Sequence, residues 1–244
     1  MHHGCAARRS VTSCEEYIIL LSKVASGGYQ VIMINGYEIK PLGDPASDYQ
    51  IAQMTTKSEA IGYCYKKDGH EFYDLTFPTD GKTITFDITT QISINRQSYI
   101  GSSYTRFLGQ CSTFCYDKSL IGDYNSGKIY NQSTAVYSEN GTAIRRMVVS
   151  PPIYFNNRRL FISKLLIEVE TNVGSGKTFT VEKSVDSGRT WTTINTHTIG
   201  VDNNTRLYTN GLGSSRSWRF RIITTMDANF ILLVFQVECS LGIN

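Results

Sequence analysis

Short runs of β-branched and aromatic residues follow one another along almost the whole chain, and turn residues separate them. The runs are rich in Ile, Val, Tyr, Phe and Thr, and Gly, Asn-Gly, Asp-Gly or Ser-Gly ends each run after about ten residues. No segment keeps apolar residues at the i, i+3, i+4, i+7 spacing of an amphipathic helix over about three turns. The pattern therefore predicts an all-β protein whose helices are few and short.

The first part of the chain repeats one order of strands and turns in three units, residues 4–42, 49–91 and 104–138. Each unit consists of hairpins, with strands such as Tyr17–Val24 and turns such as Asn35-Gly36 and Asp68-Gly69, whose residues tolerate positive φ. Repeats of roughly 40 to 50 residues with three or four strands are typical of β-propeller blades, and propellers usually close with roughly four to eight blades. We therefore predict that residues 1–143 form the blades of an incomplete β-propeller whose N-terminal blades are missing.

The pattern changes after Gly141. The segment Arg145-Arg146-Met-Val-Val-Ser ends at Pro151-Pro152, and a Pro pair is typical of a domain boundary. Apolar and polar residues alternate in the strands that follow, which suits sheets with one buried and one solvated face. We predict a C-terminal β domain over residues 144–244, built as a β-sandwich or a similar curled sheet.

The two predicted domains differ in charge. Residues 1–143 contain 12 Lys and Arg against 14 Asp and Glu, whereas residues 144–244 contain 12 against 7. The basic excess favours an acidic partner for the C-terminal domain, nucleic acid among them, or is simply a solvated basic face. No apolar run approaches the ~20 residues of a membrane-spanning helix, so we expect no membrane partner.

Six cysteines are too few for a disulfide scaffold in a chain of this length, and they are irregularly spaced: Cys5, Cys14, Cys64, Cys111, Cys115 and Cys239. We expect mostly reduced, partly buried thiols. Cys111 and Cys115 have the close spacing of a metal-ligand pair, but no His lies near them in sequence and no second pair accompanies them. The sequence predicts no metal and no cofactor.

Residues 184–191, SVDSGRTW, match the Asp-box pattern Ser-x-Asp-x-Gly-x-Thr-Trp of sialidases and other β-propeller glycosidases. We interpret Ser184, Asp186, Gly188 and Trp191 as a structural turn. Asp186 can accept hydrogen bonds from the backbone of its own turn, Gly188 supplies an unusual backbone angle, and Trp191 packs on the sheet. Sialidase-like enzymes carry the pattern in several blades, away from the catalytic residues, and here it occurs once.

No set of residues has the spacing of a catalytic centre. His70 and His197 are isolated in predicted strands, and no nucleophile with a nearby base can be identified. Gly174-Ser-Gly-Lys-Thr resembles the end of a phosphate-binding loop, but it leads into a predicted strand and is better interpreted as a hairpin turn. We therefore predict no enzyme, no catalytic residue and no cofactor-binding residue.

Two arginine doublets, Arg145-Arg146 and Arg158-Arg159, flank the predicted boundary. The planar guanidinium fork suits carboxylates and phosphates, which makes the four side chains candidates for a subunit contact or a DNA contact. The alternative is a solvated strand edge that is protected from aggregation by its charge.

Several longer segments occur in an order that is shared with a known family: 68–78 DGHEFYDLTFP, 120–130 LIGDYNSGKIY, 140–146 NGTAIRR, the Asp-box turn and 212–216 LGSSR. In this order the chain resembles the tail hub, or packaged-DNA stabilisation, protein family of short-tailed phages of enteric bacteria. The resemblance covers most of the chain, and it also accounts for the Asp-box turn in a protein that is not an enzyme. Members of that family are longer at the N-terminus.

The resemblance implies a structural β-propeller protein of the virion that forms a ring of identical subunits, six in number, around the DNA exit channel. Such a ring completes the head, stabilises packaged DNA and links the portal adaptor to the tail needle and the tailspikes. The expected partners are therefore other copies of the chain, the portal adaptor, the tail needle, the tailspike and packaged DNA. The expected location is the virion tail, after assembly in the bacterial host cytoplasm. The alternative function is that of a sialidase-like glycosidase or a carbohydrate-binding β-propeller used for host attachment.

Overall fold

The computed structural model describes residues 3–170, 174, 176–200 and 205–242, and its contacts divide the chain into two units, Met1–Thr134 and Ala135–Asn244. Strands form most of both units, and the described residues include one α-helix. This confirms the predicted all-β class. The predicted domain boundary between residues 143 and 144 stays a prediction.

The first unit contains three antiparallel sheets, none of which closes on itself in the described residues. The strands of the first sheet are β1 (His3–Cys5), β2 (Thr12–Cys14), β3 (Tyr17–Val24), β4 (Tyr29–Asn35) and β5 (Glu38–Pro41). They pair in the order β1-β3-β4-β5, and β2 also pairs with β3. The strand predicted at Tyr17–Val24 is β3. Gly36 and Tyr37 join β4 to β5, so the turn lies one residue beyond the predicted Asn35-Gly36 pair.

The second sheet has five strands, more than the three or four predicted for one unit. They are β6 (Ile61–Lys67), β7 (His70–Phe77), β8 (Lys82–Asp87), β9 (Ile92–Ile100) and β10 (Ser103–Arg106), paired in the order β10-β9-β8-β7-β6. The third sheet pairs β11 (Gly109–Cys115), β12 (Lys118–Asp123) and β13 (Ile129–Asn131) in chain order. The second and third sheets are meanders of hairpins, which is how a propeller blade is built.

The first two sheets share one hydrophobic core. Its fully buried side chains come from both sheets and include Ile19, Leu21, Val31, Tyr73, Leu75, Phe77, Ile84 and Phe86. Ser10, which is completely buried, joins the two layers: its hydroxyl accepts a hydrogen bond from Leu21 N at 3.0 Å, and its carbonyl accepts one from the Tyr73 hydroxyl at 2.8 Å. Successive sheets of this unit are thus fixed to each other by apolar packing and by buried hydrogen bonds.

A disulfide between Cys14 of β2 and Cys64 of β6 also links the first sheet to the second. The other four cysteines are free. The expectation of reduced thiols therefore holds for these four, but that of partial burial holds only for Cys115, since Cys5, Cys111 and Cys239 are exposed. The irregular spacing did not predict the bonded pair.

A buried ionic network lies inside the second sheet. The side chain of Asp74 is completely buried and accepts hydrogen bonds from the Tyr63 hydroxyl at 2.7 Å and from the Thr85 hydroxyl at 2.5 Å. The Arg96 guanidinium donates to the same carboxylate at 3.2 Å and lies 3.6 Å from the centre of the Phe107 ring. Burial and the Asp74 charge raise the pKa of Tyr63, which keeps its hydroxyl a donor.

Helix α1 (Pro45–Gln53) connects the first two sheets. Asp44 caps it: one carboxylate oxygen accepts from Ser47 N at 2.8 Å, while the Ser47 hydroxyl accepts from Asp44 N at 3.0 Å. Pro45 occupies the first turn, where its missing N–H does no harm. The backbone hydrogen bond from Ser47 lowers the pKa of Asp44.

The second unit begins with a short hairpin, β14 (Ser138–Glu139) and β15 (Thr142–Ala143), and continues as two antiparallel sheets. The four-stranded sheet pairs β16 (Arg146–Val149), β21 (Arg219–Thr224), β18 (Thr178–Ser184) and β19 (Thr192–Thr198) in that order. In the three-stranded sheet, β17 (Leu160–Val169) lies between β20 (Arg206–Ser215) and β22 (Leu232–Leu241).

In both sheets of the second unit, alternate residues point into one shared hydrophobic core. In β21 the alternation is regular, so that Phe220, Ile222 and Thr224 are buried while the residues between them are not. Phe179 and Val181 of β18 lie in the same core as Leu165 and Ile167 of β17. This is the arrangement of a β-sandwich, as predicted for the C-terminal domain.

Candidate functional site

The Asp-box turn connects β18 to β19 in the sandwich. Ser184 Oγ donates to Asp186 Oδ1 at 2.7 Å and accepts from Gly188 N at 2.8 Å. The Asp186 carboxylate accepts from Thr190 N at 2.9 Å and from Thr190 Oγ1 at 2.5 Å. The hydrogen bonds from Thr190 lower the pKa of Asp186, which therefore stays ionised and bound to its own turn.

Trp191 closes the turn onto the sheet. Its indole N–H donates to the Gly188 carbonyl at 3.0 Å, and Gly188 has the positive φ of 91° that this geometry requires. The Arg221 guanidinium lies 4.4 Å from the centre of the Trp191 ring and is itself paired with Glu182. The four residues of the motif thus contact one another and the adjacent strand.

The first arginine doublet lies at one end of β16. Arg146 faces Thr224, the last residue of β21, and its Nη2 donates to the carbonyls of Met226 at 2.6 Å and Ala228 at 2.7 Å. Burial lowers the pKa of Arg146. The guanidinium thus holds the segment before β22 within its own unit, and Arg145 beside it is half-buried. A contact of this doublet with another subunit or with DNA stays a prediction.

The second doublet follows a tight turn at the other end of the sandwich. Asn156 and Asn157 both have positive φ, and Arg158 N donates to the Phe155 carbonyl at 2.8 Å, as in a two-residue hairpin. Arg158 and Arg159 are exposed, and Arg159 Nη1 lies 3.3 Å from the Ser214 hydroxyl. The structure therefore does not bring the two doublets together.

Three further arginines, which the sequence did not single out, lie in or beside the turns at this same end: Arg189, Arg216 and Arg219. Arg219 is opposite Ser184 in the register of β18 and β21, and Ser215 is opposite Leu160 in that of β17 and β20. The only sequence signal for this group of arginines was the basic excess of the C-terminal domain. That excess does not indicate which arginines lie close together.

The two histidines that the sequence raised have structural partners. His70 Nδ1 lies 2.8 Å from an Asp87 carboxylate oxygen. His197 is buried, its Nε2 lies 2.9 Å from the Thr209 hydroxyl of the other sheet, and burial lowers its pKa. In the Gly-Ser-Gly-Lys-Thr turn, Ser175 lies outside the described residues, and Thr178 begins β18.

The first unit contains a cavity of about 450 Å³ beside the disulfide. Its lining includes Cys14, Cys64, Phe114 and three charged side chains. Lys66 is paired with both Glu15 and Glu71, which leaves the two carboxylates engaged with one ammonium group. Across the described residues, no three His, Cys, Asp or Glu side chains are grouped so that they could hold a metal ion. The described residues likewise include no helix that is long and apolar enough to cross a membrane.

The sequence was compared with known proteins and structures. The family described as Bacteriophage P22 Gp10, beta-propeller, matches residues 1–137. An exo-β-1,3-galactanase from Phanerochaete chrysosporium with galactose is 7% identical over 94% of this chain and 67% of its own, with a TM-score of 0.26. A glycoside hydrolase structure is 11% identical over 92% of this chain and 83% of its own, with a TM-score of 0.21. Structural likeness this low supports no inference. No curated protein matches the sequence.

Proposed function

Because the chain belongs to the Bacteriophage P22 Gp10 β-propeller family, we propose that it is a structural tail protein that acts as the tail hub and has no catalytic activity of its own. In this role it completes the head, stabilises packaged DNA and links the portal adaptor to the tail needle and the tailspikes. It resides in the virion tail and is assembled in the bacterial host cytoplasm. The family match over residues 1–137 is the observation that carries the proposal.

The exposed strand edges of the sandwich support a role in assembly. β16 is an edge strand, and its Met147, Val148 and Val149 are exposed by 45%, 58% and 40%. β22 is one of the two edge strands of the other sheet and exposes Leu233 and Val234. Apolar edge strands are templates for contact with another chain, and monomeric proteins usually protect them. We propose that neighbouring subunits cover such edges in a hexameric ring, in which each contact is heterologous.

The proposal is tested by the mass and shape of the purified chain and by its effect on DNA retention. Negative-stain microscopy and light scattering should show a closed ring, and the ring should bind the isolated portal adaptor. Val148→Lys should weaken the ring, whereas Val185→Lys adds the same charge at an exposed apolar site in the Asp-box turn and should not. Heads assembled without the chain should release DNA to an added nuclease.

A monomer that binds no adaptor, together with heads that retain DNA without the chain, would contradict the hub proposal. The glycosidase alternative has its own assay, release of the fluorophore from a fluorogenic sialoside. Hydrolysis of the sialoside that is lost when residues of this chain are substituted would contradict the non-enzymatic role.

A further inference from the structure

Three turns that are far apart in sequence meet at one end of the sandwich. They are residues 150–159 before β17, the Asp-box turn 184–191, and residues 213–219 between β20 and β21. Ile153 forms a bridge with Trp218, whose indole N–H donates to the Leu160 carbonyl at 3.3 Å. Ser184 at the start of the Asp-box turn is opposite Arg219. The three turns therefore form one continuous surface.

This surface is rich in arginine and almost free of acidic residues. The three turns contain five arginines, Arg158, Arg159, Arg189, Arg216 and Arg219, which we call the arginine surface, and one acidic residue, Asp186. Four of the arginines are exposed and Arg219 is half-buried. The Asp186 carboxylate is bound to Ser184 and Thr190 inside its own turn, so it is not free to pair with a guanidinium.

Four other cations of the second unit differ from these five in pairing with a carboxylate, whereas Lys183 and Arg146 donate to backbone carbonyls. Lys164, Lys177, Arg206 and Arg221 are each paired with a carboxylate, Glu238, Asp227, Glu168 and Glu182 respectively. None of the five arginines forms an ion pair with a described residue. A group of like charges without counterions in the fold is stabilised when an external polyanion binds.

The residue types indicate which polyanion fits. All five cations are arginine, whose fork matches a phosphate in a bidentate contact that lysine cannot make. Tyr154 and Phe155, exposed by 67% and 47%, stand beside Arg158 on the same turn. Aromatic rings among arginines are typical of surfaces that contact nucleic-acid backbones and bases.

We propose that the arginine surface binds DNA through its phosphate backbone. The proposal deepens the proposed function, on which its biological setting rests, because it assigns the DNA contact to a defined end of the sandwich. Arg158 and Arg159 belong to this surface. Arg145 and Arg146 do not, since they lie at the opposite end of β16 and β21.

The salt dependence of binding measures the number of phosphate contacts. Each contact contributes about −0.9 to the slope of log K against log salt concentration for duplex DNA, so contacts by the four exposed arginines give a slope of about −3.6. Affinity should then fall about 150-fold between about 50 and 200 mM salt.

The test is fluorescence anisotropy of the full chain with a labelled duplex of about 30 base pairs and with a single strand of the same length, at several salt concentrations. Arg158→Gln/Arg159→Gln should reduce the slope by about 1.8. Arg189→Gln/Arg216→Gln should reduce the slope by the same amount, although it leaves the turn at residues 150–159 unchanged. The matched control is Arg206→Gln, which removes an exposed arginine paired with Glu168 at the other end of β20 and should leave the slope unchanged.

Three results would overturn the proposal: no binding of either DNA at about 50 mM salt, an equal loss of slope in Arg206→Gln, or displacement of DNA by polyglutamate as efficiently as by competitor DNA. The last result would identify an acidic protein as the partner. Circular dichroism of each variant checks the fold, and Arg158→Lys/Arg159→Lys, which keeps the charge, should keep the slope. Ring assembly and adaptor binding are measured separately from DNA binding. A chain that forms the ring but does not bind DNA would therefore refute this inference and leave the proposed function intact.

Discussion

Reduction of the Cys14–Cys64 disulfide is expected to destabilise the first unit and to leave the second unit unchanged. The bond joins β2 of the first sheet to β6 of the second, across 50 residues of sequence that include β3, β4, β5 and α1. The two sheets also share the core and the Ser10 hydrogen bonds, so the reduced chain should still fold. What the bond adds is a restriction on the unfolded chain.

The expected loss of stability on reduction follows from the length of the loop that the disulfide closes. For a separation of 50 residues, the loss of chain entropy in the unfolded state corresponds to about 4 kcal/mol at 25 °C. For a unit of 134 residues that unfolds in one step, a change of this size lowers the midpoint of thermal unfolding by about 15 °C.

The chain contains an internal control for this measurement. Both tryptophans, Trp191 and Trp218, lie in the second unit, so tryptophan fluorescence follows the unfolding of the sandwich. Far-ultraviolet circular dichroism follows both units. Adding a reductant should lower the midpoint temperature of the transition that only circular dichroism detects. The midpoint of the transition detected by tryptophan fluorescence should not change. In the double variant Cys14→Ala/Cys64→Ala neither transition should respond to the reductant.

Two results would refute this reasoning. One is an unfolding midpoint of the first unit that does not change on addition of reductant, although a peptide map shows the Cys14–Cys64 disulfide. The other is a map under non-reducing conditions in which Cys14 and Cys64 are free or have other partners.

Three further predictions concern single residues. Gly62→Ala should lower the free energy of unfolding by about 1–3 kcal/mol in urea titrations, because its Cβ overlaps neighbouring atoms, whereas Gly28→Ala meets nothing within 4 Å and should be nearly neutral. Asp186→Asn should lower the midpoint of sandwich unfolding at neutral pH. Since the folded pKa of Asp186 lies below its ordinary value of 3.8, the difference from wild type should shrink as the pH falls below about 4, and a constant difference would contradict this. Arg146→Met should cost about 1–3 kcal/mol through the loss of two hydrogen bonds to carbonyls, measured by tryptophan fluorescence during urea unfolding.

Strands that are buried and bounded by strong turn residues were predictable from the sequence. The run Tyr17–Val24 stands before Ser-Gly-Gly and matches β3 residue for residue. Polar strands were less predictable: in β9 the alternation of Ile92 and Ile94 with polar residues stops at Asn95, and the one buried residue of the strand is Ser98. Helix α1 has one buried apolar side chain, Ile51, and therefore no apolar stripe, although the Asp44-Pro45 start did carry a capping signal.

Contacts between distant segments could not be inferred, because they depend on how the sheets are stacked. Neither the pairing of Cys14 with Cys64 nor that of Arg96 with Asp74 has a local sequence pattern. The arginine surface is a similar case. Its five side chains come from three turns, and only the register of the sandwich strands places these turns at one end.

The Asp-box turn explains why a pattern known from glycosidases can occur in a protein of this family. The residues of the pattern specify hydrogen bonds within a single hairpin: the Ser184 hydroxyl, the Asp186 carboxylate and the Trp191 indole all have partners inside residues 184–191. A carboxylate whose oxygens are occupied in this way, and whose pKa is lowered, is a poor proton donor at neutral pH. The pattern therefore indicates a turn geometry, and a glycosidase needs carboxyl groups elsewhere that the pattern does not supply.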